Sequence, residues 1–256
     1  MYSEYPFMIK FFRHIRQRMI KENRVSKYLL YAIGEIVLVI IGILFALQIN
    51  TWNTERIAMK ESKEFSRRLL SEVKINIAAT ENQILKEKSQ LNSALAILKM
   101  FHTDRSLLNA RELDSLVYIV MTKNRVDLSM ATLNEGLNTG KIPLIPSDSL
   151  RGLLYGFPTV EYKVRDAENV CSIDIDNFLT PFLYEHLNWR KMDVAFSPNK
   201  DKLGISAFPE HNSLESLDHI RFENLMDNIY FNSNGQLNNY QALKHYLESI
   251  KSLLEK

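Results

Sequence analysis

The feature that most constrains this chain is a long apolar run near its start, YLLYAIGEIVLVIIGILFALQIN, from Tyr28 to Asn50. At a rise of about 1.5 Å per residue, a helix over this run is about 30 Å long, which matches the hydrocarbon core of a bilayer. Tyr28 and Tyr31 at one end and Trp52 at the other are placed like the aromatic belts of membrane proteins. The run therefore predicts a single membrane-spanning helix over residues 28–50.

A cleaved signal peptide is the main alternative interpretation of this run. Its apolar core is usually about 7–15 residues long and ends in a small-residue cleavage site. The run here is longer, and the following ALQINTWN contains no A-x-A site. We therefore expect an uncleaved anchor. The charge asymmetry described next, together with the aromatic belts, disfavours a buried helix of a soluble protein.

Charge is distributed unevenly about the apolar run. The residues ahead of it carry two acidic side chains and seven basic ones, namely Lys10, Arg13, Arg16, Arg18, Lys21, Arg24 and Lys27. The residues behind it carry 25 basic and 27 acidic side chains. Short basic flanks stay in the cytoplasm, so the N-terminus is predicted inside and the C-terminal part outside. A slightly acidic exported part with no basic stripe predicts no nucleic-acid partner.

The N-terminal segment 1–27 also has an amphipathic pattern. Apolar residues recur at helical spacing among the basic ones, at Met8, Phe11, Phe12, Ile15 and Met19. A basic amphipathic helix lies in the lipid headgroup layer, so membrane lipid is a predicted partner and the seven basic residues are a predicted membrane-surface site. The segment either reinforces topology or binds a cytoplasmic partner.

The exported part begins with a stretch that favours one long helix. No Gly or Pro occurs between Gly42 and Gly136, and few breakers favour long helices. The spacing predicts a stalk helix over 51–101 with one apolar stripe, consisting of Phe65, Leu69, Val73, Ile77, Ile84, Leu91, Leu95 and Leu98. The stripe is thin, so this helix must pack against later helices or another copy.

Residues 102–256 are predicted to form a helical bundle. A second helix is expected after Asn109, and a short one is expected to end at Gly140. The next helix is predicted to start at Ser147 or Asp148, and Pro158 is expected to break or kink the chain.

Beyond Pro158 the pattern predicts a further long helix and then an irregular connector over 188–212. Two final helices are expected, separated by NSNG from Asn232 to Gly235. The last has a coiled-coil-like seam at Tyr240, Leu243, Leu247, Ile250 and Leu254. The predicted fold class is all-α: one transmembrane helix continued into a periplasmic helical bundle, preceded by an amphipathic interfacial helix.

Two segments of the chain resemble a known family. Met8 to Asn53 is similar to the N-terminal signature of an uncharacterised membrane-protein family of Bacteroidota, and Thr132 to Phe157 looks like that family's exported domain. The resemblance covers most of the chain. It implies a single-pass protein of the bacterial inner membrane with a periplasmic helical domain, and it implies no activity. Glu35 belongs to the resembling motif.

Glu35 is the one charged residue of the apolar run. It lies about 10 Å past Tyr28 along a helix. Three interpretations stay open: it reaches the headgroup layer or bonds Tyr31 one turn earlier, it meets a partner group on a neighbouring helix, or it carries protons in an ion-driven assembly. Gly42 and Ala46 form a small-xxx-small pair, and Gly34 lies on roughly the same side. These residues form a predicted membrane-helix contact, and Tyr28, Tyr31 and Trp52 form the predicted interface belt.

Catalytic, cofactor and metal sites are not predicted. The histidines are scattered, and the nucleotide-binding and hydrolase motifs are missing from the sequence. Cys171 is interpreted as a small apolar residue.

The leading hypothesis is a non-enzymatic scaffold or accessory subunit, either homo-oligomeric or part of a larger inner-membrane complex. The alternatives are a proton-coupled motor or transport subunit built on Glu35, and a periplasmic binder of a small ligand.

Overall fold

The structure of this chain is a computed structural model that describes residues 25–102, 110–196, 202, 204, 206–208, 212–217 and 219–256. The described residues are helical or irregular, and no strand occurs among them. The helices are α1 Val25–Met100, α2 Ala110–Val120, α3 Ala131–Thr139, α4 Asp148–Asp174, α5 Thr180–His186, α6 Trp189–Phe196 and α7 Ile220–Leu254. A π-helical turn, Ile175–Leu179, joins α4 to α5, and 3₁₀ turns lie at Ile142–Leu144 and Glu215–Leu217. The all-α prediction is confirmed for the described residues.

The chain divides into two compact units, Met1–Glu61 and Ser62–Lys256. The first unit contains the apolar part of α1. The second contains the rest of α1 and all later helices. From Phe65 to Met100, one face of α1 is buried against other helices of the second unit. α1 ends at Met100, one residue before the predicted end of the stalk helix.

Apolar side chains of the second unit form two clusters within the described residues. One cluster contains Phe65 and Leu69 of α1, Leu154 and Phe157 of α4, and the α7 seam. The other contains Ile97 and Met100 of α1, Val117 of α2, and residues of the π-helical turn, α5 and the first half of α7. The most extensive helix pair is α4 with α7, which pack against each other along the bundle.

Each of the long helices α1, α4 and α7 also buries polar side chains. On α1, from Glu72 onward, these residues overlap with the end of the first apolar cluster and continue up to the second; they are Glu72, Asn76, Thr80, Gln83, Glu87, Gln90 and Ser93. On α4 the buried polar residue is Glu168, and on α7 they are Ser233 and Gln236. We call these residues the polar layer.

The polar layer corrects the predicted apolar stripe on α1. Phe65, Leu69, Val73 and Ile84 are buried as expected. The other four members, Ile77, Leu91, Leu95 and Leu98, are only partly buried. Polar side chains occupy the buried positions around these four residues. They form hydrogen bonds with the backbone of the segment that connects α2 to α3.

Several local predictions are confirmed. The second helix, expected after Asn109, is α2, which begins at Ala110. Gly140 ends α3 with a φ of 71°, the left-handed conformation that glycine adopts most readily. The Ser147 hydroxyl accepts the backbone N–H of Leu150 at 3.2 Å and caps α4. The α7 seam is buried from Tyr240 to Ile250, and Leu254 is partly buried.

Of the break or kink predicted at Pro158, the break does not occur, because α4 runs through this residue. A proline inside a helix removes one backbone hydrogen bond and costs about 3 kcal/mol or more. Leu154 and Phe157 before it and Val164 after it are all buried in the same apolar cluster. Burial of these side chains on both sides of the proline outweighs the local cost.

The predicted break at Asn232–Gly235 is also wrong, because α7 is continuous there. These residues lie where α7 crosses the polar layer. Ser233 is 2% exposed, and the Asn232 side chain donates to the Asp174 carboxylate at 2.7 Å. The segment has the composition of a loop because Ser233 faces the polar layer and Asn232 binds Asp174, while Asn234 and Gly235 are exposed on the surface of α7.

Replacing Gly235 with Ala is expected to raise the free energy of unfolding by about 0.5–1 kcal/mol, since glycine inside a helix is less favourable than alanine by that amount. No described atom lies within 4 Å of the position that the added methyl carbon would take, so the methyl group meets no steric obstacle. Urea unfolding of the detergent-solubilised chain measures the change. Gly140→Ala is the matched control and should destabilise, because its φ is positive.

The connector predicted over 188–212 is partly helical. Residues 189–196 form α6, whose Phe196 packs on Tyr118 of α2 with ring centroids 5.5 Å apart. Much of residues 197–211 lies outside the described part of the chain.

Candidate functional site

The apolar part of α1 exposes most of its side chains, and only Tyr31 and Ala32 are partly buried between Leu29 and Asn50. Its large aliphatic residues and Phe45, from Leu29 to Ile49, are between 46% and 78% exposed. Within the described residues, this is the one helix that is long and apolar enough to cross a membrane. A contiguous apolar surface of this size requires lipid or another apolar partner.

The predicted membrane-helix contact residues lie on this exposed part of α1. Glu35, Gly34, Gly42 and Ala46 are all exposed, and Tyr31 is partly buried. A methyl group built on Gly34 or Gly42 has no described atom within 4 Å. A second helix therefore has room to approach α1 closely along these small residues.

The other predicted membrane residues are only partly covered by the structure. Trp52 is 63% exposed, and the Arg56 guanidinium carbon lies 6.0 Å from its ring centroid. Lys27 and Tyr28 belong to α1, but their side chains lie outside the described part. Residues 1–24 of the amphipathic segment, with Lys10, Arg13, Arg16, Arg18, Lys21 and Arg24, lie outside the described residues.

Sequence reasoning missed the main polar feature of the bundle, an extended segment that crosses the polar layer. Residues 122–130 connect α2 to α3. Their burial alternates as in a strand: Asn124 and Val126 are buried, and Leu128 and Met130 are partly buried. The odd-numbered residues from 123 to 129 are exposed. We call residues 122–130 the threaded segment.

Side chains of α1 bind the backbone at the end of the threaded segment that leads into α3. Asn76 donates to the Ser129 carbonyl at 2.8 Å and accepts its N–H at 2.7 Å. Glu72 accepts the N–H groups of Thr132 and Leu133, at 2.7 and 3.1 Å. Because these two N–H groups belong to the first turn of α3, Glu72 caps α3 from another helix.

Amide side chains bind the start and the middle of the threaded segment. Gln90 donates to the carbonyls of Val120 and Thr122, both at 2.8 Å. Gln236 of α7 donates to the Asn124 carbonyl at 3.2 Å. Buried backbone groups need such partners, and here side chains supply them in place of a neighbouring strand.

Glu168 binds the threaded segment from α4. Its carboxylate accepts the Val126 N–H at 2.8 Å and the Tyr240 hydroxyl at 2.8 Å. Its second oxygen accepts Arg165 Nη1 at 2.8 Å, and the same Arg165 nitrogen donates to the Val126 carbonyl at 2.7 Å. Glu168 is 2% exposed, so its charge is buried, paired and hydrogen-bonded at both oxygens. Burial strongly raises the pKa of Tyr240, which therefore acts as a neutral donor.

The polar layer contains three buried carboxyls, Glu72, Glu87 and Glu168, and the surroundings of Glu87 differ from those of Glu168. Glu87 is 0% exposed, and one oxygen accepts Asn124 Nδ2 at 3.0 Å. Burial raises its pKa to about 7, while the Ser233 and Asn124 side chains act in the opposite direction. Burial also raises the pKa of nearby Cys171 to about 12, so that thiol stays protonated at neutral pH.

An open cavity of about 520 Å³ lies beside α5 and α6. Its lining includes Tyr184, His186, Trp189 and Phe208. The Tyr184 and Trp189 rings stack with centroids 4.5 Å apart. The indole N–H of Trp189 is buried without a hydrogen-bond partner among the described residues. An aromatic lining and this volume are typical of small-molecule sites.

Among the described residues, no group of three or more His, Cys, Asp and Glu side chains is arranged to hold a metal ion.

The polar layer on α1 has a recognisable pattern in the sequence. Glu72, Asn76, Thr80, Gln83, Glu87 and Gln90 recur at steps of three and four, the spacing of one helix face. Apolar periodicity alone does not reveal this pattern, because the buried residues are polar.

Comparison of the chain with protein-family models, with curated proteins and with solved structures finds no match.

Proposed function

We propose that this chain is a non-enzymatic, single-pass protein of a bacterial inner membrane that serves as a scaffold or accessory subunit of a membrane complex. The observation that carries the proposal is the exposure of the large aliphatic side chains and Phe45 from Leu29 to Ile49. Lipid can cover such a surface, but the small residues on it also allow a neighbouring helix to pack closely.

The topology follows from the charge asymmetry. Seven basic residues before the apolar run favour a cytoplasmic N-terminus and a periplasmic bundle. Alkaline phosphatase fused after Lys256 tests this orientation, because that enzyme is active only outside the cytoplasm. High activity is the expected result. An inactive fusion whose fluorescent-protein counterpart is bright would place the bundle in the cytoplasm and contradict the proposal.

Purification of the tagged full chain in mild detergent, with measurement of the complex mass, tests the assembly. We expect a mass well above the 29.8 kDa of one chain. Mass spectrometry then distinguishes a homo-oligomer from a complex with a foreign membrane subunit. A stable monomer with no stoichiometric companion would contradict a scaffold role.

Gly42→Leu is expected to shift this complex toward the monomer, because the added side chain prevents close approach of a second helix. The expected loss of assembled material is about tenfold if one close helix contact worth about 1–2 kcal/mol is removed. Ile41→Leu, at the neighbouring exposed position, is the matched control and should leave the complex mass unchanged. Equal masses for both variants would show that Gly42 is not in the contact.

Glu35→Gln distinguishes a contact role from proton transport. If Glu35 only contributes to helix contact, the variant assembles and functions like the wild type, since the amide keeps the size and an acceptor oxygen. Loss of a force-dependent phenotype with intact assembly would instead favour a proton-coupled motor or transport subunit.

A small-ligand binder is the second candidate function, and the aromatic cavity beside Trp189 favours it. Thermal unfolding of the detergent-solubilised chain against a metabolite library tests it. A ligand that stabilises the wild type but not Tyr184→Ala would support this candidate. Stabilisation of both proteins equally would place the ligand elsewhere.

A further inference from the structure

Glu87 combines complete burial with incomplete hydrogen bonding. Its side chain is 0% exposed, and its Oε2 accepts Asn124 Nδ2. Its Oε1 is buried with no hydrogen-bond partner among the described residues. A buried ionised carboxylate with one bare oxygen is costly, whereas a protonated carboxyl avoids most of that cost.

The groups that face Glu87 do not neutralise its charge. From α4 it is faced by Glu168, a second carboxylate, and by the Cys171 thiol. From α7 it is faced by the Ser233 and Tyr240 hydroxyls. Its neighbours along α1 in the polar layer are the neutral amides Gln83 and Gln90.

Two arginines lie beside Glu168. Arg165 Nη1 lies 2.8 Å from Glu168 Oε2, and Arg125 Nε lies 4.0 Å from the same oxygen. Glu168 is therefore the compensated member of the two carboxyls. If Glu87 also ionises, the negative charges of Glu87 and Glu168 repel each other.

Both Glu87 and Glu168 accept hydrogen bonds from nearby residues of the threaded segment. Glu87 binds the side chain of Asn124, and Glu168 binds the backbone of Val126. Asn124 also donates to Gln90 at 2.8 Å, and its carbonyl accepts the Gln236 side chain. The charge of Glu87 therefore affects Asn124, the residue of the threaded segment that side chains of both α1 and α7 bind.

We propose that Glu87 is a proton-operated latch: its protonated form keeps the threaded segment seated between α1, α4 and α7, and its ionised form loosens the segment. When the segment opens, Glu87 meets water and ionises at its ordinary pKa. The closed state therefore binds the proton more tightly than the open state.

The direction of the pH effect follows by linkage. The closed-state pKa of Glu87 is raised from 4.5 to about 7. Stabilisation of the closed state is complete below pH 4.5 and is lost as the pH rises through 7. The opening equilibrium should increase by up to about tenfold per pH unit in that window and then level off.

Hydrogen–deuterium exchange of the full chain in detergent tests the latch at pH 5, 6, 7 and 8. The amides of Val126 and Ser129 report opening, because they donate to Glu168 and Asn76. After correction for the intrinsic exchange rate, their protection should fall between pH 5 and 7. The protection of α7 amides near Leu247 should fall less, since opening is local.

Two variants complete the design. Glu87→Gln keeps the shape and removes the titration, so its Val126 and Ser129 protection should not fall between pH 5 and 7. Glu81→Gln is the matched control on the same helix, because Glu81 is half exposed and pairs with Lys244 at 2.7 Å. This control should keep the wild-type pH dependence.

Three results would overturn the latch. The first is a Glu87→Gln protein with the same pH dependence as the wild type. The second is an equal loss of protection in α7, which would indicate global unfolding. The third is constant wild-type protection of Val126 and Ser129 from pH 5 to 8, and this result is decisive even if the Gln variant does not fold.

Discussion

Replacing Glu168 with Ala should lower the free energy of unfolding by about 3–5 kcal/mol, the usual cost of breaking a buried, hydrogen-bonded ion pair by removing one partner. The substitution removes the acceptor that the Val126 N–H, the Tyr240 hydroxyl and the Arg165 guanidinium share, and of its acceptors Arg165 keeps the Val126 carbonyl and Glu161. It also opens a cavity in the middle of the polar layer. Urea unfolding of the detergent-solubilised chain, followed by circular dichroism, measures the loss.

Glu161→Ala is a closely matched control for this prediction. Glu161 lies on the same helix and pairs with the same arginine, at 3.7 Å from Arg165 Nε. It is 28% exposed, whereas Glu168 is 2% exposed. Partly solvated pairs contribute about 0–1 kcal/mol, so this control should lose less than about 1 kcal/mol. Equal losses for the two variants would mean that Glu168 stabilises the fold no more than a surface charge does.

Gly136→Ala should destabilise the bundle by about 1–3 kcal/mol, because the added methyl group overpacks a filled core. The new Cβ overlaps the tip of the Phe65 ring and lies 3.2 Å from Ile142 Cγ1. Phe65 is 1% exposed and Ile142 is 0% exposed, so neither side chain has free space to move into. Chemical denaturation of the full chain gives the size of the effect.

A second substitution tests whether this steric contact is the cause. Phe65→Leu shortens the side chain that the methyl group meets, so the double variant should be less destabilised than the sum of the two single variants. Gly152→Ala in α4 is the control, since its methyl group meets no described atom within 4 Å. Strict additivity of Gly136→Ala and Phe65→Leu would show that the two sites do not contact each other.

Elements with strong local signals were predictable from the sequence. The apolar run, the glycine at the end of α3 and the serine at the start of α4 each act through their own backbone geometry or through nearest neighbours along the chain. The α7 seam was predictable for a related reason, because its apolar spacing of three and four matches one helix face. These signals are local, so no knowledge of the tertiary structure was needed to interpret them.

Predictions failed where a local preference competes with a distant contact. Pro158 and the Asn232–Gly235 segment both favour a break, yet α4 and α7 continue through them because burial against each other outweighs the local cost. The stripe on α1 was misjudged for a similar reason. Its buried positions include Glu87 and Gln90, whose hydrogen-bond partners lie thirty or more residues away in sequence.

By itself, the sequence determined an all-helical chain with one exposed apolar helix segment at its N-terminal side. Hydrophobic periodicity and helix-end residues give this result because they depend only on residues that are close together in the sequence. Only the tertiary structure decided that the bundle is built around a polar layer and a threaded segment. A buried extended backbone must have its N–H and C=O groups satisfied, and here side chains from three helices bind them. Which side chains do so depends on how α1, α4 and α7 pack together, and no local pattern specifies that packing.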